Sequence, residues 1–300
     1  MDYVILTING GIGKNIMATA VVKALRKKRY KKTKIVILSS WPQVWLNNPC
    51  IFRVYNTNAV PYFYDDFIKG KDVKILSSEP YMSEDFIQKN SHCVEAWCKL
   101  LDVKHEEEGP EIFLTTREME IAKNKFQTQK PLLLLQTNGG IHNPDNPVSW
   151  VRDFPLGQAS KIIEILKDNY EILHIKQDGQ PEINGVQFVT FSNIRELFAL
   201  VWRADKFLVI DSCVQHACAA FGKRATVVWP IDNTKTLGYE LHDNIIANTD
   251  HRETHSINAL FGEFHIDGWP HECPFKTDDI FDVPKIVESL MDDYKPVEAK

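Results

Sequence analysis

Two stretches of the chain alternate short, apolar runs with segments of helical spacing. The first begins at once. Tyr3 to Ile8 is an apolar, β-branched run, Asn9-Gly10-Gly11-Ile12-Gly13 is a turn, and Asn15 to Lys28 carries Ile16, Met17, Ala20, Val21, Ala24 and Leu25 at helical intervals. Lys34 to Leu38 is the next expected strand. The second stretch opens at Pro131-Leu132-Leu133-Leu134-Leu135-Gln136. It continues with an expected helix near Leu156 to Lys167 and expected strands at Glu171 to Ile175 and Gln187 to Phe191. A helix at Ile194 to Arg203, a strand at Lys206 to Ile210, a helix at Val214 to Phe221 and a strand at Arg224 to Trp229 follow, and Val283 to Met291 reads as a last helix. Strands that are apolar throughout are covered on both faces, and strands separated by helices pair in parallel through crossovers.

The region between the two stretches is less regular. Lys104-His105-Glu106-Glu107-Glu108-Gly109-Pro110 is a polar break, and Gln127-Thr128-Gln129-Lys130 precedes the second stretch. The expected organisation is therefore two α/β domains, 1–128 and 129–300, with the last helix able to pack back onto the first domain. Two doubly wound domains facing each other make a cleft, and ligands of open α/β sheets sit beyond the carboxyl ends of the strands. The informative loops then follow Ile8, Gln136, Ile175, Ile210 and Trp229.

Composition narrows the picture. Over 300 residues, 44% hydrophobic and 25% charged is the mix of a globular protein with a full core, which excludes collagen, coiled coil and bulk disorder. A net charge of −5 argues against a nucleic-acid coat over the whole surface. A local basic patch remains open, and Arg26 to Lys34 holds seven basic residues in nine, read either as a solvated helix end or as a dock for a polyanion. Apolar runs such as Leu132 to Leu135 have the length of a buried strand and are far short of a span, so no transmembrane anchor is expected. The opening residues read as a strand and not as a signal peptide. Six cysteines are too sparse for a disulfide scaffold, which points to reduced thiols and a cytoplasmic setting, with peripheral contact to the inner membrane left open. His265, His271 and Cys273 come closest to a ligand set but lack a fourth partner, so no metal is expected. Pro61-Tyr62-Phe63-Tyr64 and Tyr81 supply rings suited to packing or to stacking on an acceptor.

Two segments carry candidate chemistry. The turn Asn9 to Asn15 fails the phosphate-loop pattern, because Ile8 and Asn15 stand where glycine and Ser or Thr are needed. It also fails the dinucleotide fingerprint, because Ile16 replaces the third glycine after Gly11 and Gly13. What remains is a tight strand-to-helix turn with unpaired N–H groups. The second segment is Lys206 to Lys223. A buried strand ends at Asp211, Ser212 is a natural helix N-cap, and the first turn of the helix attracts an anion. His216, one turn on, offers a second donor to that anion, and Gly222 closes the helix. A diphosphate is the natural guest.

These residues resemble the heptosyltransferase-like glycosyltransferases of family 9, which have the GT-B architecture of two Rossmann-like doubly wound domains facing a cleft. The resemblance is carried first by Gly10-Gly11-Ile12-Gly13 with Met17-Ala18-Thr19-Ala20 and Leu25-Arg26, and by Trp45-Leu46-Asn47-Asn48-Pro49 with Val54. In the second half it is carried by Trp150-Val151-Arg152-Asp153-Phe154-Pro155, Glu196-Leu197 through Ala204-Asp205, Asp211-Ser212 with His216 and Ala219, and Val227-Val228-Trp229-Pro230. It implies an inverting, metal-independent transfer of sugar from a nucleotide-diphosphate sugar, needing no further cofactor. It places Asp211, Ser212, Cys213, Gln215 and His216 at the donor's phosphates and sugar, and Arg152 as the cation that offsets the leaving group's charge. By the same resemblance Asn138 and Gly139 edge the donor site, while Gly11, Gly13 and Lys14 lie on the acceptor or anion side. Asp211, His216 and Arg152 are the residues expected to act in catalysis.

One position departs from the family, which has Asp as general base where this chain has Lys14. A charged lysine accepts no proton. Asp65, Asp66, Glu79, Asp85 or Glu95 could be a relocated base, Lys14 could bind an anion, or the chain could be an altered member. The acceptor is open among lipopolysaccharide core, another glycan, lipid-linked or not, a protein side chain and a modified nucleic-acid base. A nucleotide-sugar epimerase and a non-catalytic nucleotide- or glycan-binding protein are the alternatives.

Overall fold

The computed structural model describes residues 1–58, 60–139, 151–249, 275–276 and 278–292. The chain divides into two units, Met1–Glu118 and Met119–Lys300. No helix among the described residues is long and apolar enough to cross a membrane. His265, His271 and Cys273 lie outside the described residues, and among those described no group of three or more His, Cys, Asp or Glu side chains is placed to hold a metal.

The first unit contains β1 (Tyr3–Ile8), α1 (Ile12–Lys28), β2 (Lys34–Ser39), β3 (Arg53–Asn56), α2 (Phe63–Phe67), β4 (Val73–Ser77), α3 (Glu84–Ile87) and α4 (Cys93–Leu100), with short 3-10 turns at Pro42–Trp45 and Pro80–Met82. Helix α5 (Thr116–Lys125) runs across the division between units. The strands pair in parallel in the order β3-β2-β1-β4. Helix α1 is buried on most of its surface, from Lys14 to Leu25, which is why small residues such as Ala18, Thr19 and Ala20 share it with Ile16, Met17 and Val21. The helix begins at Ile12, three residues before the expected start at Asn15, so Gly13 and Lys14 belong to its first turn. The cause is the glycine pair. Gly10 adopts a φ of +101°, open to glycine at little cost, and Gly11 takes the extended N-cap geometry. Asn15 then ties the turn down, donating to the Gly11 carbonyl at 3.0 Å and accepting from Ser39 Oγ at 2.6 Å.

The second unit contains β5 (Leu132–Leu135), α6 (Leu156–Leu166), β6 (Glu171–Ile175), β7 (Gln187–Val189), α7 (Ile194–Arg203), β8 (Lys206–Ile210), α8 (Cys213–Ala220), β9 (Thr226–Trp229), α9 (Thr234–Leu237), β10 (Asp243–Ile246) and α10 (Val283–Met291). Its sheet is parallel, in the order β10-β9-β8-β5-β6-β7. Counted by appearance within the unit, that is the 3-2-1-4-5-6 order of a dinucleotide-binding sheet. Leu133, Leu135, Ile162, Leu166, Ile210 and Val228 share one core with Ile286 and Leu290, so α10 packs within its own unit.

Three strands escape the hydrophobic pattern: β3, β4 and β10. All three lie at sheet edges, where one flank is unpaired and burial is partial. Lys74 and Asp243 are tolerated there because no second strand closes over them.

The first four cations of the basic run, Arg26 to Arg29, are internal fastenings. Arg26 donates to the carbonyls of Cys50 (3.0 Å), Tyr30 (2.8 Å) and Thr33 (2.7 Å). Lys27 faces Glu108, Lys28 pairs with Glu106, and Arg29 donates to the carbonyl of Leu101. These bonds sit at the carboxyl end of α1, where cations are favoured. They account for most of the run's charge without a polyanion.

Candidate functional site

In each sheet the strand order reverses once, and the carboxyl ends of the two strands flanking that reversal form the crevice where open α/β sheets take ligands. In the second unit those strands are β5 and β8. The residues after them are Gln136 to Gly139 and Asp211 to Cys213, so the topology brings together two of the segments singled out from sequence. Ser212 joins them by donating to Gln136 Oε1 at 2.6 Å. The same hydroxyl oxygen accepts from the Val214 amide at 3.1 Å and caps α8, the role expected of it. Asp211, Ser212 and Cys213 are each half-buried, so the helix tip keeps access to solvent.

Asp211 accepts from Gln215 Nε2 at 3.1 Å. Burial pushes its carboxyl above the usual range, while the Arg152 charge and the Gln215 bond pull the other way. Gln215 is fully buried. Its nitrogen also donates to the Leu237 carbonyl at 3.2 Å, and its oxygen has no hydrogen-bond partner among the described residues. His216 is buried beneath the tip, with Nδ1 at 2.8 Å from the Tyr239 hydroxyl. It supports the helix from behind. Burial pushes the Cys213 thiol up to about 12, so this side chain is an uncharged thiol at neutral pH.

Arg152 is exposed and stands against the β5 loop: a Cβ on Gly139 would lie 3.8 Å from Arg152 Cδ and 3.3 Å from Ile210 Cδ1. A side chain at 139 would crowd Ile210, while the contact with Arg152 would be an ordinary one. Asn138 is held by its neighbours, since Nδ2 donates to Asp153 Oδ2 at 2.8 Å and Oδ1 accepts from Thr137 Oγ1 at 2.8 Å. Thr137 in turn lies 2.9 Å from His174 Nε2. Its single hydroxyl proton goes to Asn138, which makes His174 Nε2–H the donor. His174 is buried, and desolvation with the nearby Lys176 charge pushes its pKa down to about 4, so the ring is neutral. Gln136, Thr137, Asp153, His174 and Tyr239 were given no role from sequence. The first three carried a readable signal: Gln136 and Thr137 are polar residues directly after four leucines, and Asp153 adjoins Arg152. Tyr239 carried none, because it reaches His216 only through the tertiary fold.

In the first unit the reversal lies between β1 and β4. Gly11 and Gly13 form the helix entry there. Lys14 is almost wholly buried and ion-pairs with Glu79, which follows β4. Its ammonium also lies 5.2 Å from the Tyr81 ring centre and 5.6 Å from that of Trp97.

No protein-family model and no curated protein sequence matches the chain. Solved structures do. A family 9 glycosyltransferase from Veillonella parvula superposes with a TM-score of 0.69 at 13% identity, covering 96% of this chain and 95% of that one. The ADP-heptose lipopolysaccharide heptosyltransferase II of E. coli gives 0.58 at 11% identity, over 89% of this chain and 100% of its own. A dodecameric, iron-containing heptosyltransferase solved with ADP-D-β-D-heptose gives 0.66 at 13% identity, over 96% and 76%. The resemblance read from the motifs is thus borne out in the fold: two parallel α/β units of the GT-B class, as in the family 9 glycosyltransferases.

Proposed function

We propose that this chain is a glycosyltransferase that moves a sugar from a nucleotide-diphosphate sugar to a hydroxyl acceptor, with inversion and without a metal. The observation that carries the reading is the solvent-accessible, serine-capped tip of α8 at the crossover of a 3-2-1-4-5-6 sheet, with exposed Arg152 beside the neighbouring loop. Oriented N–H groups, a helix dipole and a guanidinium together favour a diphosphate, and their preference strengthens as the departing nucleotide gains charge. Asp211, half-buried directly after β8, is the carboxylate assigned in this reading to a sugar hydroxyl. Gln215, His216 and Tyr239 fix the helix so that the donors stay aimed. Donor binding belongs to the second unit in this reading and acceptor binding to the first. The neighbours solved as heptosyltransferases make ADP-heptose the first donor to try and a glycan hydroxyl the first acceptor.

The test is a thermal-shift screen of nucleotide sugars, since a ligand that binds only the folded state raises Tm. A rise with one donor, lost in Arg152→Ala, supports the site. A panel with no rise for any nucleotide sugar removes the reading.

A further inference from the structure

The amino ends of the second sheet, opposite the capped tip of α8, border a cavity of about 430 Å³. Its lining comes from the starts of β5, β8 and β9 and from the last turn of α10, all within one unit. Lys206 opens β8 and Ile210 closes it, so a strand of five residues, about 13 Å, separates the cavity from Asp211 and Ser212. The volume lies in the range that holds a small organic molecule. Pro131 and half-buried Tyr170 give it accessible apolar walls, with Phe207, Ala225 and Leu290 buried behind them.

Most polar groups of the lining are matched to one another. Arg224 donates to Asp243 and Asp292, each at 2.7 Å. Ser289 donates to Asp243 at 2.6 Å and lies 2.6 Å from Thr226 Oγ1. Asp205 accepts from the Leu132 amide at 2.8 Å and faces Arg203 at 3.4 Å. Lys206 donates to the Asp292 carbonyl, and the Tyr170 hydroxyl to that of Leu290. Lys223 differs. It follows α8 directly after Gly222, donates to the Ala204 carbonyl at 2.5 Å and holds its ammonium 5.7 Å from the Phe207 ring centre. No carboxylate among the described residues lies within ion-pair distance of it. An ammonium has three donors, so two are left over. Desolvation is the main influence on this group and lowers its pKa, the sign of a cation without a counter-charge at hand.

We propose that this cavity is a second ligand site, which takes a small aromatic carboxylate: the anion pairs with Lys223, and the ring packs on Pro131 and Tyr170. The site stands apart from the transferase reading and does not depend on it. A partly desolvated cation gains most from an anion that brings an apolar body, because the body covers the walls and keeps water from the new pair. Inorganic phosphate answers the cation alone, and a neutral ring answers the walls alone. The acids of the lining do not compete for Lys223, since Asp205 and Asp243 are engaged by the Leu132 amide, Arg203, Arg224 and Ser289.

The experiment is calorimetric titration of the full chain with three probes: 2-naphthoate, its neutral counterpart 2-naphthalenemethanol, and inorganic phosphate. Naphthoate should bind at one site, about tenfold or more tighter than either of the others. Lys223→Met, similar in length and apolar, should bring naphthoate down to the affinity of the alcohol and leave the alcohol's own affinity unchanged. Should that variant melt early, Lys223→Gln keeps a polar end, removes the charge and should give the same loss. Arg152→Ala, at the other end of the sheet, should bind naphthoate as the parent does. Four results each overturn the site: no saturable naphthoate binding, phosphate or the alcohol binding as tightly as naphthoate, an affinity unmoved by loss of the Lys223 charge, or a loss in Arg152→Ala. Any of them leaves the donor reading standing, because the nucleotide-sugar screen reads the opposite end of the sheet.

Discussion

The two sheets reverse their strand order in the same way, yet the chemistry at the two reversals is opposite. At β1/β4 a buried ammonium is matched by a half-exposed carboxylate and flanked by two rings. At β5/β8 hydrogen bonds without an ion pair dominate: Ser212 to Gln136, Gln215 to Asp211, and the chain from His174 through Thr137 to Asn138. Charge among the described residues there comes from Asp211, Asp153 and exposed Arg152. The difference teaches what each place can host. A helix tip with unspent N–H groups favours an incoming anion, whereas a tip whose first turn carries a lysine already paired with Glu79 presents a carboxylate instead.

The comparison can be broken or sharpened by substitution. The largest effect is expected at the ion pair. Glu79→Ala strands a buried ammonium and should destabilise the chain by about 3–5 kcal/mol, while Lys14→Met, close in volume and apolar, should be near neutral. Denaturant unfolding of the two variants checks the asymmetry, and equal losses would contradict it. Acid comes next. His174 and His242 are both buried with pKa values lowered to about 4. Unfolded histidine titrates near 6.5, so in that window the unfolded state binds more protons. Stability from these rings is complete above pH 6.5 and is lost as pH falls toward 4, roughly 3 kcal/mol for each ring. A Tm that stays level from about pH 7 down to 4.5 would count against this account. Third, Arg152→Ala should weaken nucleoside-diphosphate binding by about 1.5–3 kcal/mol, read by calorimetry, with Tm of the unliganded chain unchanged. Smallest is Ser212→Ala, which removes the cap of α8 and should cost about 1 kcal/mol in stability. An unshifted melt for that variant would mean the helix tip does not depend on its cap.

Much of the architecture was legible in the chain. Continuous apolar runs at Tyr3–Ile8, Leu132–Leu135 and Lys206–Ile210 mark strands buried on both faces, and those strands are in place. The edge strands were not legible, because partial burial lets Lys74 and Asp243 interrupt the pattern. The cap at Ser212 was readable from its position after a strand and before an apolar helix. The burial of His216 was not, since the residue that covers it, Tyr239, is distant in sequence. The basic run illustrates the same limit. Seven charges in nine positions look like a docking surface, yet Arg26 and Arg29 are spent on the carbonyls of Cys50, Tyr30 and Leu101, while Lys31, Lys32 and Lys34 stay exposed.

The sequence by itself determined the fold class, the parallel pairing, the glycine entry to α1 and the capped entry to α8, because each follows from local sterics and from apolar runs that have to be covered. Only the tertiary structure decided that Lys14 is spent on Glu79, that Arg152 stands against Gly139, and that His216 faces inward. Those outcomes depend on which loops the sheet order brings side by side, and that adjacency is set by long-range strand pairing, which no local stretch of chain encodes.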